Sequence, residues 1–228
     1  MLRNIISFAG VTNQAHRVVV TSMPAIPAPM ERGEAISIPG RNGEVWRGEG
    51  AYETVQISVP LWVPPEADLA AVRGWLSGEG KLYIGSDPYY WRGRVSAVSP
   101  YAPCVFNDGW TSTVTFDCMP FRHADGGIFT VTSNPYTVGN IFTAYAEPLI
   151  RMTLTGDAEI YFCGAEFAIT GLTGTVYVDC ELQECYTDEG AANDHMTGGF
   201  PVIPPGDSEI SWTGGVSSMV VTPRWRTL

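Results

Sequence analysis

The chain has 228 residues, a formal net charge of -11, and 45% apolar against 16% charged residues. Its 13 Lys and Arg are too few for the clustered phosphate contacts of a protein devoted to gripping nucleic acid. With 25 Gly and 17 Pro it is a turn-rich β sequence rather than a disordered one, and its length suits two β domains that each bury a core.

In chain order, the first signal is Gly40-Arg41-Asn42-Gly43, where Asn-Gly favours a tight hairpin turn between strand-like flanks. Gln56-Ile57-Ser58-Val59 alternates as a half-buried strand does. One helix is expected: Pro65-Glu66-Ala67-Asp68 opens it with acid at the positive end of its dipole. Leu69, Val72, Trp75 and Leu76 form its apolar stripe and Gly78 stops it. The turn Ser86-Asp87-Pro88 leads into Tyr89-Tyr90-Trp91, where alternation directs at least one ring away from the core and toward a neighbour. Thr113-Val114-Thr115-Phe116-Asp117-Cys118 is another half-buried strand, with Val114, Phe116 and Cys118 on the core face.

The strand pattern breaks over Pro120 to Gly127, which places a domain boundary near residue 125 and gives domains 1–125 and 126–228. The second holds about seven short strand candidates, among them Gly174 to Cys180 and Glu209 to Trp212, the pattern of a β-sandwich.

Chemistry is sparse. Cys104, Cys118, Cys163, Cys180 and Cys185 include no Cys-x-x-Cys pair, and His16, His123 and His195 lie far apart, so no metal site or cofactor is expected. Cys118 and Cys180 read as small core residues, and an odd cysteine count points to reduced thiols. No nucleophile motif or phosphate loop is present, so no catalytic residue is assigned. Glu166, Asp179, Glu181 and Glu184 are the one carboxylate group to weigh for glycoside hydrolysis. Val178 and Cys180 point inward, so Asp179 and Glu181 are expected on the solvated face. No apolar run approaches the roughly 20 residues of a membrane-crossing helix, and Met1 to Phe8 lacks the apolar stretch of a secretory signal, so folding in a cytoplasm without membrane insertion is expected.

Read together, these segments resemble the distal tail protein (Dit) family of long-tailed, non-contractile bacteriophages, collinearly over nearly the whole chain. Ile38-Pro39-Gly40-Arg41-Asn42-Gly43-Glu44-Val45 is similar to the family's early Pro-Gly-Arg-x-Gly hairpin. Arg73-Gly74-Trp75-Leu76, Lys81-Leu82-Tyr83-Ile84 and Asp87-Pro88-Tyr89-Tyr90-Trp91-Arg92-Gly93-Arg94-Val95 follow its order of helix, strand, Asp-Pro turn and aromatic-basic strand. Phe116-Asp117-Cys118-Met119-Pro120-Phe121 resembles the strand closing its first domain. Asn140, Glu147-Pro148-Leu149-Ile150 and Val176 to Glu181 resemble elements of its second domain. The most specific part is Gly199-Phe200-Pro201-Val202-Ile203-Pro204-Pro205-Gly206, then Ile210-Ser211-Trp212-Thr213-Gly214 and Pro223-Arg224-Trp225-Arg226. Ile141 replaces a frequent Gly and Asp207-Ser208-Glu209 a frequent Asn, and the second half has no room for the carbohydrate-binding insertion of some members.

The resemblance implies an all-β fold with one helix: a tail-tube-like barrel or sandwich, then a galectin-like β-sandwich. It implies a homo-oligomeric ring, usually a hexamer, at the virion tail tip, between the tail tube protein and the hub or tail-associated lysin, with receptor-binding or baseplate proteins attached. DNA would pass its channel without specific binding, helped by acid on the channel wall. Candidate ring contacts are Arg41, Asn42 and Gly43 of the hairpin and Tyr89, Tyr90 and Trp91. The competing readings are a carbohydrate-binding or receptor-binding tail component, then a cell-wall hydrolase.

Overall fold

A computed structural model describes residues 4–104 and 108–228, so the first three residues of the Met1 to Phe8 segment lie outside it. The described residues are nearly all β with one α-helix, as expected, and the chain divides into two compact units, Met1–Arg122 with Leu228 and His123–Thr227. No helix among the described residues is long and apolar enough to cross a membrane.

The first unit contains β1 (Ile6–Phe8), β2 (Val11–Thr12), β3 (Val19–Val20), β4 (Glu31–Ser37), β5 (Glu44–Tyr52), β6 (Val55–Val63), α1 (Leu69–Trp75), β7 (Glu79–Ile84), β8 (Tyr89–Val98), β9 (Ala102–Pro103) and most of β10 (Trp110–Ala124). Its main sheet has the order β2-β1-β7-β8-β10-β6-β3, with β9 also on β10. The antiparallel pair β6 and β10 sets the core: Val59 faces Val114, Ile57 faces Phe116 and Val55 faces Cys118, all buried. Gln56 and Ser58 point the other way and stay exposed, the period-two pattern that fixes register because a one-residue slip would turn every apolar group outward. Asn13, also buried, ties the sheet edge. Its Oδ1 accepts the Ile6 N–H at 3.0 Å and its Nδ2 donates to the Val18 carbonyl at 2.8 Å.

The helix begins later than the sequence pattern implies. Asp68 is an extended N-cap whose carboxylate accepts the Ala70 and Ala71 N–H groups at 2.8 and 3.3 Å, so Pro65 to Ala67 precede the helix and no acid lies in its first turn. Val72, Trp75 and Leu76 are buried, Trp75 Nε1 donates to the Phe8 carbonyl at 3.2 Å, and Gly78 at φ 77° follows the helix end. The expected break at Pro120 does not end a strand: β10 runs on to Ala124, while its pairing with β6 stops at Cys118, before proline removes a donor.

The second unit contains β11 (Phe129–Thr130), β12 (Tyr136–Asn140), β13 (Leu149–Phe162), β14 (Ala165–Ile169), β15 (Gly174–Asp179), β16 (Glu184–Thr187), β17 (Gly190–Ala191), β18 (Met196–Gly198), β19 (Gly206–Thr222) and β20 (Arg226–Thr227). It is not made of short strands alone. The long pair β13 and β19 runs through two half-sheets: β15, β16 and β17 extend from the first half of β13, and β14 and β18 from its second half.

The register of the long pair shifts between Thr153 and Ala158, where three glycines allow the sheet to bend. A Cβ on Gly215 would lie 2.6 Å from the Gly156 nitrogen, and one on Gly214 (φ 83°) would collide with the Asp157 carbonyl oxygen. The bent sheet wraps its own apolar face: Ile150, Met152, Leu154, Ala158, Ile160 and Phe162 alternate inward along β13 and join Phe167, Val176, Val178, Ile210 and Met219 in one core.

Candidate assembly surfaces

Among the described residues, strands β4 and β5 pair only with each other, as a two-stranded arm outside the main sheet of the first unit. Ser37 faces Glu44, so the connection is the six residues Ile38 to Gly43 and not a two-residue Asn-Gly turn. Positive φ falls on Gly40 (82°) and Gly43 (81°), not on Asn42, and Arg41 N donates to the Ile38 carbonyl at 3.1 Å to close a turn inside the loop. The hairpin itself was legible, its turn type was not. Arg41, Asn42 and Gly43 are exposed at its tip.

A lone two-stranded hairpin buries too little to be stable in water by itself, and this one is exposed along nearly its whole length. Its internal supports are modest. The Trp46 ring covers Gly33, where a Cβ would come within 2.7 Å of it, and Arg47 meets Glu34 at 3.9 Å with both side chains largely in solvent. Charges nearly balance, with Glu31, Glu34, Glu44 and Glu49 against Arg32, Arg41 and Arg47.

Exposed apolar groups concentrate on this arm and its approach. Trp46 is 56% exposed and Met30 71%, and Met23, Ile26, Ile36 and Ile38 are exposed as well. Met23, Ile26 and Met30 lie on the strandless stretch Thr21-Ser22-Met23-Pro24-Ala25-Ile26-Pro27-Ala28-Pro29-Met30, whose three prolines keep it out of helix. Sequence reasoning passed over this stretch, although three prolines interleaved with apolar residues were its signal.

The aromatic triplet divides between faces. Trp91 is 2% exposed and belongs to the core, so it has no surface to offer a neighbour. Tyr90 is also buried, on the opposite face, packed on Tyr83 at 5.3 Å with the Lys81 ammonium 4.2 Å over its ring. Tyr89 is partly exposed, with the Arg122 guanidinium 5.4 Å over its ring. Arg122 is held in turn by Asp87 at 3.0 Å.

In the second unit Asp179 is buried, contrary to the solvated position expected for it. Its carboxylate takes a bidentate pair from Arg224 at 2.6 and 2.7 Å and the N–H groups of Glu181 and Leu182 at 3.1 Å, and Arg224 also reaches Glu181 at 3.1 Å. Burial pushes the Asp179 carboxyl up, and the Arg224 and backbone hydrogen bonds more than offset this, so it sits below the ordinary aspartate value. These two acids are occupied in a structural clamp that holds the Arg224 turn to the end of β15. Arg224 lies 45 residues from Asp179, beyond the reach of any local pattern.

The thiols of Cys118 and Cys180 are pushed up to about 12, by burial first and neighbouring aspartate second. All five cysteines are unpaired, and among the described residues no group of three His, Cys, Asp or Glu gathers for a metal.

No family model matches this chain, and no curated protein matches it either. Solved structures do. One is "Crystal Structure of SPP1 Dit (gp 19.1) Protein, a Paradigm of Hub Adsorption Apparatus in Gram-positive Infecting Phages", at a TM-score of 0.74 and 14% identity over 96% of this chain and 97% of that one. The chain has the Dit fold. A chain of the phage P2 baseplate in its activated conformation with Ca matches at a TM-score of 0.57 and 8% identity over 97% of each chain. The same baseplate with Sr gives 0.57 and 7% over 96% of each. The match to the Dit fold thus spans nearly the whole chain, at an identity where only the architecture carries over.

Proposed function

We propose that the chain is a non-enzymatic structural protein of a phage virion. It forms a homo-oligomeric ring, a hexamer, at the distal end of a long non-contractile tail. The ring joins the tail tube protein to the hub or tail-associated lysin and carries receptor-binding or baseplate proteins. It is made and assembled in the bacterial cytoplasm, and its channel passes DNA without specific binding, an acidic wall keeping phosphates from sticking.

The observation that carries this reading is the arm. A hairpin too slight to stand alone, with free strand edges and exposed Trp46, Ile36 and Ile38, is stabilised when a second copy covers it. A head-to-tail contact of that kind closes into a ring if its rotation closes. Arg41, Asn42 and Gly43 at the tip make the contact with the neighbour, and Tyr89 contributes its exposed edge. The Dit fold over 96% of the chain supports the same reading.

Replacing Glu31 to Tyr52 by a short Gly-Ser linker tests it. Light scattering on the full chain should give a multiple of the monomer mass and imaging a ring with a channel, whereas the deletion should give monomers with both units still folded. Rings that survive the deletion remove the arm from the interface. A full chain that never exceeds monomer mass, even after cross-linking at high concentration, counts against the ring.

A further inference from the structure

The outer face of β18, β14, β13 and β19 carries an open trough of about 590 Å³, within the range of small-ligand sites. One rung runs Thr213, Glu159, Ala168, Thr197 across the four strands, and the next carries Ser211, Tyr161 and Glu166. Ile160, Phe162 and Phe167 alternate into the core, which fixes the outward direction of these side chains. Ala168 is the smallest side chain of the first rung and lowers the surface there.

Three features specify the occupant. Tyr161 is 39% exposed and stands between Glu166 and Ser211, a flat ring with hydrogen-bonding groups on both sides. Among the described residues no hydrogen bond or ion pair engages the side chains of Glu159, Glu166, Thr197, Ser211 or Thr213, so all are available. The trough holds two carboxylates and no cation, which turns away phosphate, sulfate and uronate groups.

We propose that this trough binds a neutral saccharide. The C–H face of a pyranose stacks on Tyr161, and its hydroxyls donate to Glu159 and Glu166 in charge-assisted hydrogen bonds, about twice as strong as neutral ones. The Thr and Ser hydroxyls donate as well as accept. A polyol uses both roles, and a cationic side chain, which only donates, does not. The site is complete within the second unit, so it is independent of the ring. In an oligomer the copies would multiply a weak single-site affinity through a high effective concentration.

Titration calorimetry on the full chain tests this. The probes are neutral tetrasaccharides of glucose, galactose, rhamnose and N-acetylglucosamine, a tetra-uronate, and pentalysine. At least one neutral tetrasaccharide should bind, the uronate should not, and Tyr161→Ala and Glu166→Gln should each weaken binding about tenfold or more, a change of about 1.4 kcal/mol, with the melting temperature unchanged. The proposal is overturned if none of the four neutral sugars binds, if binding survives both substitutions, or if pentalysine binds more tightly than every sugar. Oligomer mass is read separately, so such a failure leaves the ring reading standing.

Discussion

Removing the Asp179 carboxylate should unfasten the second unit. The carboxylate is 4% exposed and receives four hydrogen bonds, two from Arg224 and two from backbone N–H groups. Asp179→Ala leaves Arg224, itself only 22% exposed, with Glu181 as its remaining ion-pair partner, and breaking a buried pair in this way costs about 3 kcal/mol. For a unit of this size each kcal/mol moves the midpoint by about 4–8 °C, so the melting transition should fall by about 12 °C or more. Asp179→Asn, which keeps an acceptor for the backbone groups, should fall by about half as much.

The pH dependence has a definite sign. Because the folded-state value lies below the unfolded one, the clamp contributes fully above about pH 4 and fades as pH drops through the lower folded value. The wild type should therefore lose stability on acidification below pH 4, and Asp179→Ala should lose less over the same window. Calorimetric melting at pH 7 and at pH 3 reads both effects. A variant melting within 2 °C of the wild type at pH 7 would falsify the clamp.

The corner glycines offer a second test: Gly214→Val, at φ 83° and against the Asp157 carbonyl, should cost about 3 kcal/mol of the second unit's stability and leave the first unit's transition in place. Asn13→Ala strands the Ile6 N–H and the Val18 carbonyl, so the first unit should lose about 2 kcal/mol, and hydrogen exchange at Ile6 should accelerate. Trp91→Ala should destabilise the first unit by about 3–5 kcal/mol in chemical denaturation, a loss that a merely surface-exposed ring would not produce. At pH 8 a thiol reagent should leave Cys118 and Cys180 unmodified in the native protein and label all five cysteines in denaturant, as burial and their raised values require.

Alternation read well where one face meets a core, as at Val114, Phe116 and Cys118, since burial repeats every second residue there. The helix stripe Val72, Trp75 and Leu76 was equally legible, but its start was not, because Asp68 stands outside the helix as an extended N-cap whose carboxylate accepts the Ala70 and Ala71 N–H groups, rather than as an acid in the first turn. The length of β13 and β19 was hidden because glycines at 156, 214 and 215 look like turns and instead let continuous strands bend. The arm's sequence announced a hairpin, while its separation from the main sheet depends on which strands β6 and β10 choose as partners. The Tyr161 trough draws residues from four strands, a combination that no window of sequence contains.

The pairing of β13 with β19 also sets an order of events during synthesis. Leu149 meets Thr222 and Phe162 meets Ile210, so the middle of the second unit's sheet is completed only by residues made many positions later. Until residues 212 to 221 have been made, Ile150, Met152 and Ile160 have partners only in β15 and β14 and lack Val221, Met219 and Trp212 on the β19 side, so the emerging chain carries an open sheet edge beside apolar residues. The β6 and β10 pairing needs nothing beyond Cys118, so the first unit can close while the second is still waiting. Non-local closure of this kind is slow, and a chain that stops short of β19 keeps a folded first unit joined to a sticky, unfinished one.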